Sequence, residues 1–333
     1  CDSVGVCPRK VSTRSVVRIA TSCCVAMPCC FTSHWPNAGM IYALVGCKFV
    51  AADYGCGMRC SNRFRFGASA LLAVNVLASV GCSLRTMAVN AIVPVLVDPT
   101  VYRSEEDPEL VRESLPFLLK TIESIIQSTP EQDEALVFAC TGFTLYASAF
   151  LQVDADVAGW EGNYDRELEL RDRTWKIYVR ARDYCMRSLE LRYGELAEQL
   201  RQDPVTALLR TDVKDVEVLY LLSAAWGLAI SNALDQPSLV ADLPVVRALL
   251  ERALELDEDY ERGAIHGALI TLEALPEQLG GSAERAREHF ERTVELTKGL
   301  DAAPYVAFAA GVSIPAEARV EFEHLLNQAL AID

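Results

Sequence analysis

From residue 83 onward, apolar positions recur every three to four residues in segments separated by turn chemistry. The pattern predicts helices over 83–97, 107–128, 131–151, 164–200, 204–210, 212–234, 242–256, 259–274, 282–298, 301–311 and 315–331. The breaks fall at Pro99, Ser128-Thr129-Pro130, Gly159 to Gly162, Gln236-Pro237, Pro276 to Ser282 and Pro304, residues that end helices or start turns. Alternating strand patterns bounded by Asn-Gly or Asp-Gly turns are missing. Ala, Leu, Glu and Arg dominate, as expected of helices packed on one another. The predicted fold is all-α.

Within these helices one spacing returns. In Ala286, Phe290 and Thr293 a small residue is followed four later by an aromatic one and three later by another small one, as in the second helix of a tetratricopeptide repeat. The same spacing appears at Val246, Leu250 and Ala253, at Ala181, Cys185 and Ser188, and more faintly at Ser114, Leu118 and Thr121. Small residues let neighbouring helices approach, and the larger one fills the gap between them. The copies start about 67, 65 and 40 residues apart, against the 34 of a regular array. The expectation is therefore a degenerate, tetratricopeptide-like set of helical hairpins, similar to an α-solenoid. The partner helices are Asp133 to Leu151, Asp215 to Leu234 and Tyr260 to Ala274; Gly267 stands where the first-helix glycine of such a repeat would be.

These partner helices are small-sided and apolar nearly all round: FACTGFTLYASAFL (138–151), LYLLSAAWGLAISNAL (219–234) and GAIHGALITLEAL (263–275). Two arrangements satisfy such a composition. Tyr146, Ala147, Ala225, Trp226, Ala229 and Ala268 either line an apolar groove suited to a greasy ligand or pack as a solid core.

The chain before residue 83 has a different character. In MRCSNRFRFGASALLAVNVLASVGCSL (58–84), Arg59, Arg63 and Arg65 precede an apolar run from Phe66 to Val80 and then small residues and a cysteine. That order of charge, short apolar core and small residues makes a secretory signal peptide, and the core falls short of the ~20 residues of a transmembrane helix. Leu77 to Cys82 resembles the lipobox of bacterial lipoproteins, with Gly81 at the cleavage site and Ser79 departing from the usual Leu. A mature chain that begins at diacylated Cys82 is the expectation. Its natural start would be Met58, which makes 58–81 the signal and 1–57 an upstream extension.

Composition changes at the same place. Nine of the 12 cysteines lie in residues 1–81, without paired C-x2-C spacing, and His34 alone stands near them, so no metal module is expected there. After Gly81 there are 23 basic and 44 acidic residues, about −21 in net charge, which disfavours nucleic acid and anionic lipid surfaces as partners. Only Cys140 and Cys185 follow Cys82; both sit on apolar helix faces, where a free buried thiol is the commoner state, although an oxidising compartment permits a disulfide.

Taken together, the lipobox, the stretch CSLRTMAVNAIVPVL with Ser83 and Met87-Ala88-Val89-Asn90, the cryptic hairpins and the acidic all-α body resemble the T-component of tripartite ATP-independent periplasmic (TRAP) transporters. The resemblance covers residues 58–333. It implies a periplasmic protein tethered to a bacterial membrane only through lipid on Cys82, with an apolar channel for a small hydrophobic ligand. It further implies a homo-oligomer, a trimer, associated with the solute-binding P-component. A general lipoprotein scaffold of the cell envelope is the alternative. An enzyme is the third reading, and it has little support. His34, His266, His289 and His324 lack H-E-x-x-H spacing, no G-x-S-x-G turn occurs, and Glu288-His289 and Glu323-His324 point to different helix sides. No catalytic residue, cofactor or metal is expected.

Overall fold

The computed structural model describes residues 49–52, 55–58, 87–97 and 100–332; the sequence-predicted lipobox, Cys82 included, lies outside them. The chain divides into two units, 1–80 and 81–333. In the first, β1 (Phe49–Ala52) and β2 (Gly55–Met58) pair antiparallel, with Phe49 opposite Met58. This hairpin lies in the stretch ahead of residue 83, where the helical pattern begins, and so outside the segment for which helices were predicted.

The second unit is all-α among its described residues. Its longer helices are α1 (Met87–Leu96), α2 (Pro108–Ser128), α3 (Asp133–Trp160), α4 (Tyr164–Tyr193), α5 (Leu196–Gln202), α6 (Pro204–Leu208), α7 (Val216–Ser231), α8 (Leu243–Leu256), α9 (Ala264–Glu273), α10 (Ala283–Thr297), α11 (Ala303–Phe308) and α12 (Arg319–Leu330). Local chemistry sets their ends. Asp107 accepts from the Glu109 and Leu110 amides ahead of Pro108. Asn163 and Ser282 cap α4 and α10 in the same way, each satisfying an amide that the first helical turn leaves unpaired. Gly194, at φ 66°, stops α4. The predicted single helix over 164–200 is thus two.

The helix α3 runs further than its sequence pattern, because Ala147–Gln152 forms a π turn that carries the helix on to Trp160. The wider turn brings Gln152 inward, where its Oε1 accepts from the Tyr178 hydroxyl at 2.8 Å and from Asn232 at 3.1 Å. By length and composition α3 could cross a membrane, but half of its most apolar window is buried against neighbouring helices.

Packing proceeds from each long helix to the next: α2 on α3, α3 on α4, α4 on α7, α7 on α8, α8 on α9, α9 on α10 and α11, and α11 on α12. The small-residue positions sit in these contacts. Ala181, Cys185, Ser188, Val246, Leu250, Ala253, Ala286 and Thr293 are all buried. The fourth copy departs from the prediction: Ser114 is exposed, and the buried line of α2 is Val111, Leu115, Leu119, Ile122 and Ile126, one residue out of phase. Each such fully buried Leu or Ile contributes about 1.5–3 kcal/mol. Gly142 lets α2 and α3 meet closely, since a Cβ there would stand 2.7 Å from Leu119 Cδ2. Gly267 has no such role, because nothing lies within 4 Å of a Cβ built on it.

Cys140 on α3 and Cys185 on α4 form a disulfide, with 5.4 Å between their Cα atoms. Sequence alone left the pair open between free buried thiols and a disulfide; the two apolar faces that carry them face each other, and this decides for the bond.

Two buried carboxylates knit successive helices. Asp215, fully buried, pairs with Arg192 at the end of α4 and accepts from the Asp212 amide at 2.9 Å. Glu273 pairs with Arg247 of α8 and, at 2.6 Å, with Arg285 of α10. In both cases a charge is desolvated but met by cationic partners, the condition under which burial is tolerated.

Between α9 and α10, His266 Nδ1 lies 2.8 Å from His289 Nδ1, and His266 Nε2 lies 3.3 Å from Glu258, which also accepts from Arg292. Burial lowers both histidine pKa values; Glu258 partly offsets this for His266, and the charge of His266 adds to it for His289. The unfolded chain takes up these protons near pH 6.5, whereas the folded chain resists them. Their contribution to stability is therefore complete above pH 6.5 and is lost as pH falls through the lowered folded values. Melting temperature measured from pH 8 to 5 falls below about pH 6.5, and the double variant His266→Gln/His289→Gln shows a flatter profile. Equal slopes in the two proteins contradict this assignment.

Candidate functional site

A cavity of about 470 Å³ opens beside α3. Val137, Phe138, Thr141, Gly142 and Leu145 of α3 form one wall, Leu115 of α2 a second, and Val97 and Tyr102 the side nearest α1. The surface is apolar for a physical reason in each case. Thr141 donates its hydroxyl to the Val137 carbonyl at 3.0 Å, within its own helix, and so needs no partner from the cavity. Gly142 removes a side chain where α2 and α3 meet. Carboxylates stand among the lining residues: Asp133, Glu134 and Glu217. Asp133 is engaged, accepting from the Ser188 hydroxyl. Burial holds the Tyr102 phenol above its usual pKa, so it stays neutral at any physiological pH.

The volume falls within the 300–1,000 Å³ typical of small-molecule sites, and such walls suit apolar ligands.

The residues named from sequence lie elsewhere. Ala147, Ala229 and Tyr178 form a small buried cluster where α3, α4 and α7 meet. Ala225 is fully buried, and Trp226 is nearly so, donating its indole N–H to Asp242 at 3.2 Å beneath the Arg182 guanidinium. Tyr146 is half-buried and accepts from Arg173 at 3.4 Å. Ala268 lines a separate cavity of about 360 Å³ with Tyr220, Gly267 and Thr271. The structure brings Ala147 and Ala229 together, and keeps Ala268 apart from them.

The 470 Å³ cavity opens on α3 one turn away from the face that the sequence reading chose. The signal was the run Val137, Phe138, Thr141, Leu145, whose spacing marks a second apolar stripe on a helix that already has one. Among the described residues no group of three or more His, Cys, Asp or Glu is placed to hold a metal ion.

Comparison with known proteins agrees with this picture at the level of family. A protein of Treponema pallidum (strain Nichols), described as uncharacterized, is 27% identical over 277 residues, which cover 77% of this chain and 85% of that one. Residues 104–333, well over half of the chain and all of α2 to α12, match the TRAP transporter T-component family, and the chain belongs to that family.

Proposed function

We propose that this protein is the lipid-anchored accessory component of a TRAP transporter, which docks the solute-binding P-component and holds a small hydrophobic ligand between α1, α2 and α3. Membership of the family makes it a transporter component with a membrane-associated or periplasmic place of work. The apolar cavity beside α3 is the observation that carries the ligand reading. Three further features support the rest. The Cys140–Cys185 disulfide belongs to an oxidising compartment, in keeping with the periplasm. The packing of each helix pair on the next is the behaviour of a repeat protein, which favours a tetratricopeptide-like reading of these hairpins. An exposed apolar line on α3, Leu145, Val153, Val157 and Trp160, offers surface to a partner chain or to further copies in a homo-oligomer such as a trimer. The anchor is assigned to Cys82 on the lipobox resemblance. The role is non-enzymatic.

The cavity is tested with a neutral apolar fluorophore, N-phenyl-1-naphthylamine. Thr141→Trp fills the space and weakens probe binding more than ~10-fold, which corresponds to about 1.4 kcal/mol, while the protein keeps its melting temperature. Ala225→Phe, in the packed interior, instead costs about 1–3 kcal/mol of stability and leaves binding intact. Unchanged probe binding in Thr141→Trp removes the ligand reading.

A further inference from the structure

The groove between the second half of α2 and α4 is cationic in an acidic chain. It encloses about 410 Å³ and is lined by Lys120, Arg180 and Arg187 with a single carboxylate, Glu123. That carboxylate is already saturated. Its Oε1 forms an ion pair with Arg180 Nε and accepts from the Tyr184 hydroxyl, each at 2.7 Å, and its Oε2 accepts from Lys120 Nζ at 2.5 Å. Glu123 is only 10% exposed, so it acts as a clip that holds two cations in place. Each cation gives it one donor. Lys120 keeps two N–H groups, and Arg180, which also meets the Tyr184 side chain and lies over the Phe143 ring at 5.1 Å, keeps part of its fork.

Arg187 completes the set. Its guanidinium lies over the Tyr184 ring, 5.7 Å from the centroid, a contact that leaves its N–H donors unengaged. Among the described residues it has no carboxylate partner. The lining therefore carries two positive charges in excess, with a guanidinium fork of the kind that grips carboxylate or phosphate in bidentate fashion.

We propose that this groove binds a small oxyanion, the carboxylate or phosphate group of a low-molecular-weight ligand, through Arg187 and the free donors of Lys120 and Arg180. Size and field select the class. The volume suits a small molecule. An extended polyanion or an anionic membrane would meet the strongly acidic remainder of the chain, whose charge repels it beyond the pocket. This site shares no lining residue with the apolar cavity, and the proposal stands apart from the docking role.

The test is calorimetric titration of the purified protein with inorganic phosphate, then with citrate, at constant ionic strength. The expected result is saturable binding with Kd of about 1 mM or tighter for at least one of the two anions. Arg187→Gln and Lys120→Gln each weaken it at least ~10-fold, while Arg319→Gln, at an exposed ion pair with Glu323 on α12, does not. Melting temperatures within a degree or so of wild type confirm that both groove variants fold. Vesicles containing phosphatidylglycerol form a separate arm and are expected not to bind. No saturable binding of either anion overturns the proposal, as does affinity unchanged in both groove variants. Vesicle binding that is lost with Arg187→Gln, in the absence of free-anion binding, also overturns it and assigns the groove to a membrane surface.

Discussion

Opening the Cys140–Cys185 bridge lowers the melting temperature by roughly 10 °C. The crosslink joins residues 45 apart in sequence. Closing a loop of that length restricts the unfolded chain by about 4 kcal/mol on a chain-entropy account, within a usual range of about 2–4 kcal/mol. For a unit of this size each kcal/mol moves the midpoint by about 2–4 °C. The location enlarges the consequence: both sulfurs are fully buried between α3 and α4, next to the wall of the apolar cavity. The measurement compares wild type with Cys140→Ala/Cys185→Ala, each with and without dithiothreitol. Wild type drops on reduction to near the level of the double variant, which itself does not respond. In the form that begins at residue 83, no thiol titrates after unfolding in unreduced protein. Two titratable thiols, or equal melting temperatures, contradict the crosslink.

The elements that sequence patterning located best are those whose ends are written in local chemistry. Asp107-Pro108, Asn163 and Ser282 start helices where a cap was due, and Gly159 to Gly162 separates α3 from α4. What patterning missed depends on tertiary geometry. The π turn at Ala147–Gln152 shifts the apolar phase within α3, so a fixed period of 3.6 residues loses the helix at 151. Ser114 has the right spacing but the wrong face, because Leu115 and Leu119, one residue on from Ser114 and Leu118, are the buried ones, and Leu119 carries the contact with Gly142. The bond between Cys140 and Cys185 needed the knowledge that two apolar faces meet; each cysteine alone reads as a small buried residue. His266 and His289 stand 23 residues apart with no motif to join them.

The candidate site was legible as chemistry before it was legible as a place. A small-sided, apolar α3 borders an apolar cavity, one of the two arrangements that its composition allowed. Which face of α3 it borders depends on where α2 and the chain around Val97 and Tyr102 leave room. On α7, by contrast, Ala225 and Ala229 serve close helix packing, the second use that small residues have.

Docking to the solute-binding component is the central proposal for this protein. Helical hairpins present surface to other chains, the exposed line from Leu145 to Trp160 is apolar, and the unit is strongly acidic elsewhere. A stable complex requires at least about 1,000 Å² of buried surface. Contact through the apolar line is indifferent to salt, whereas contact through acidic faces weakens as ionic strength rises. The direct measurement is sedimentation of the soluble form from residue 83, mixed with the solute-binding protein of the same transporter, at tens of micromolar and at low and high salt. The prediction is a discrete complex that persists at both, with Trp160→Ala and Val157→Asp together reducing its affinity at least ~10-fold. Two proteins that sediment independently at both salt concentrations contradict it.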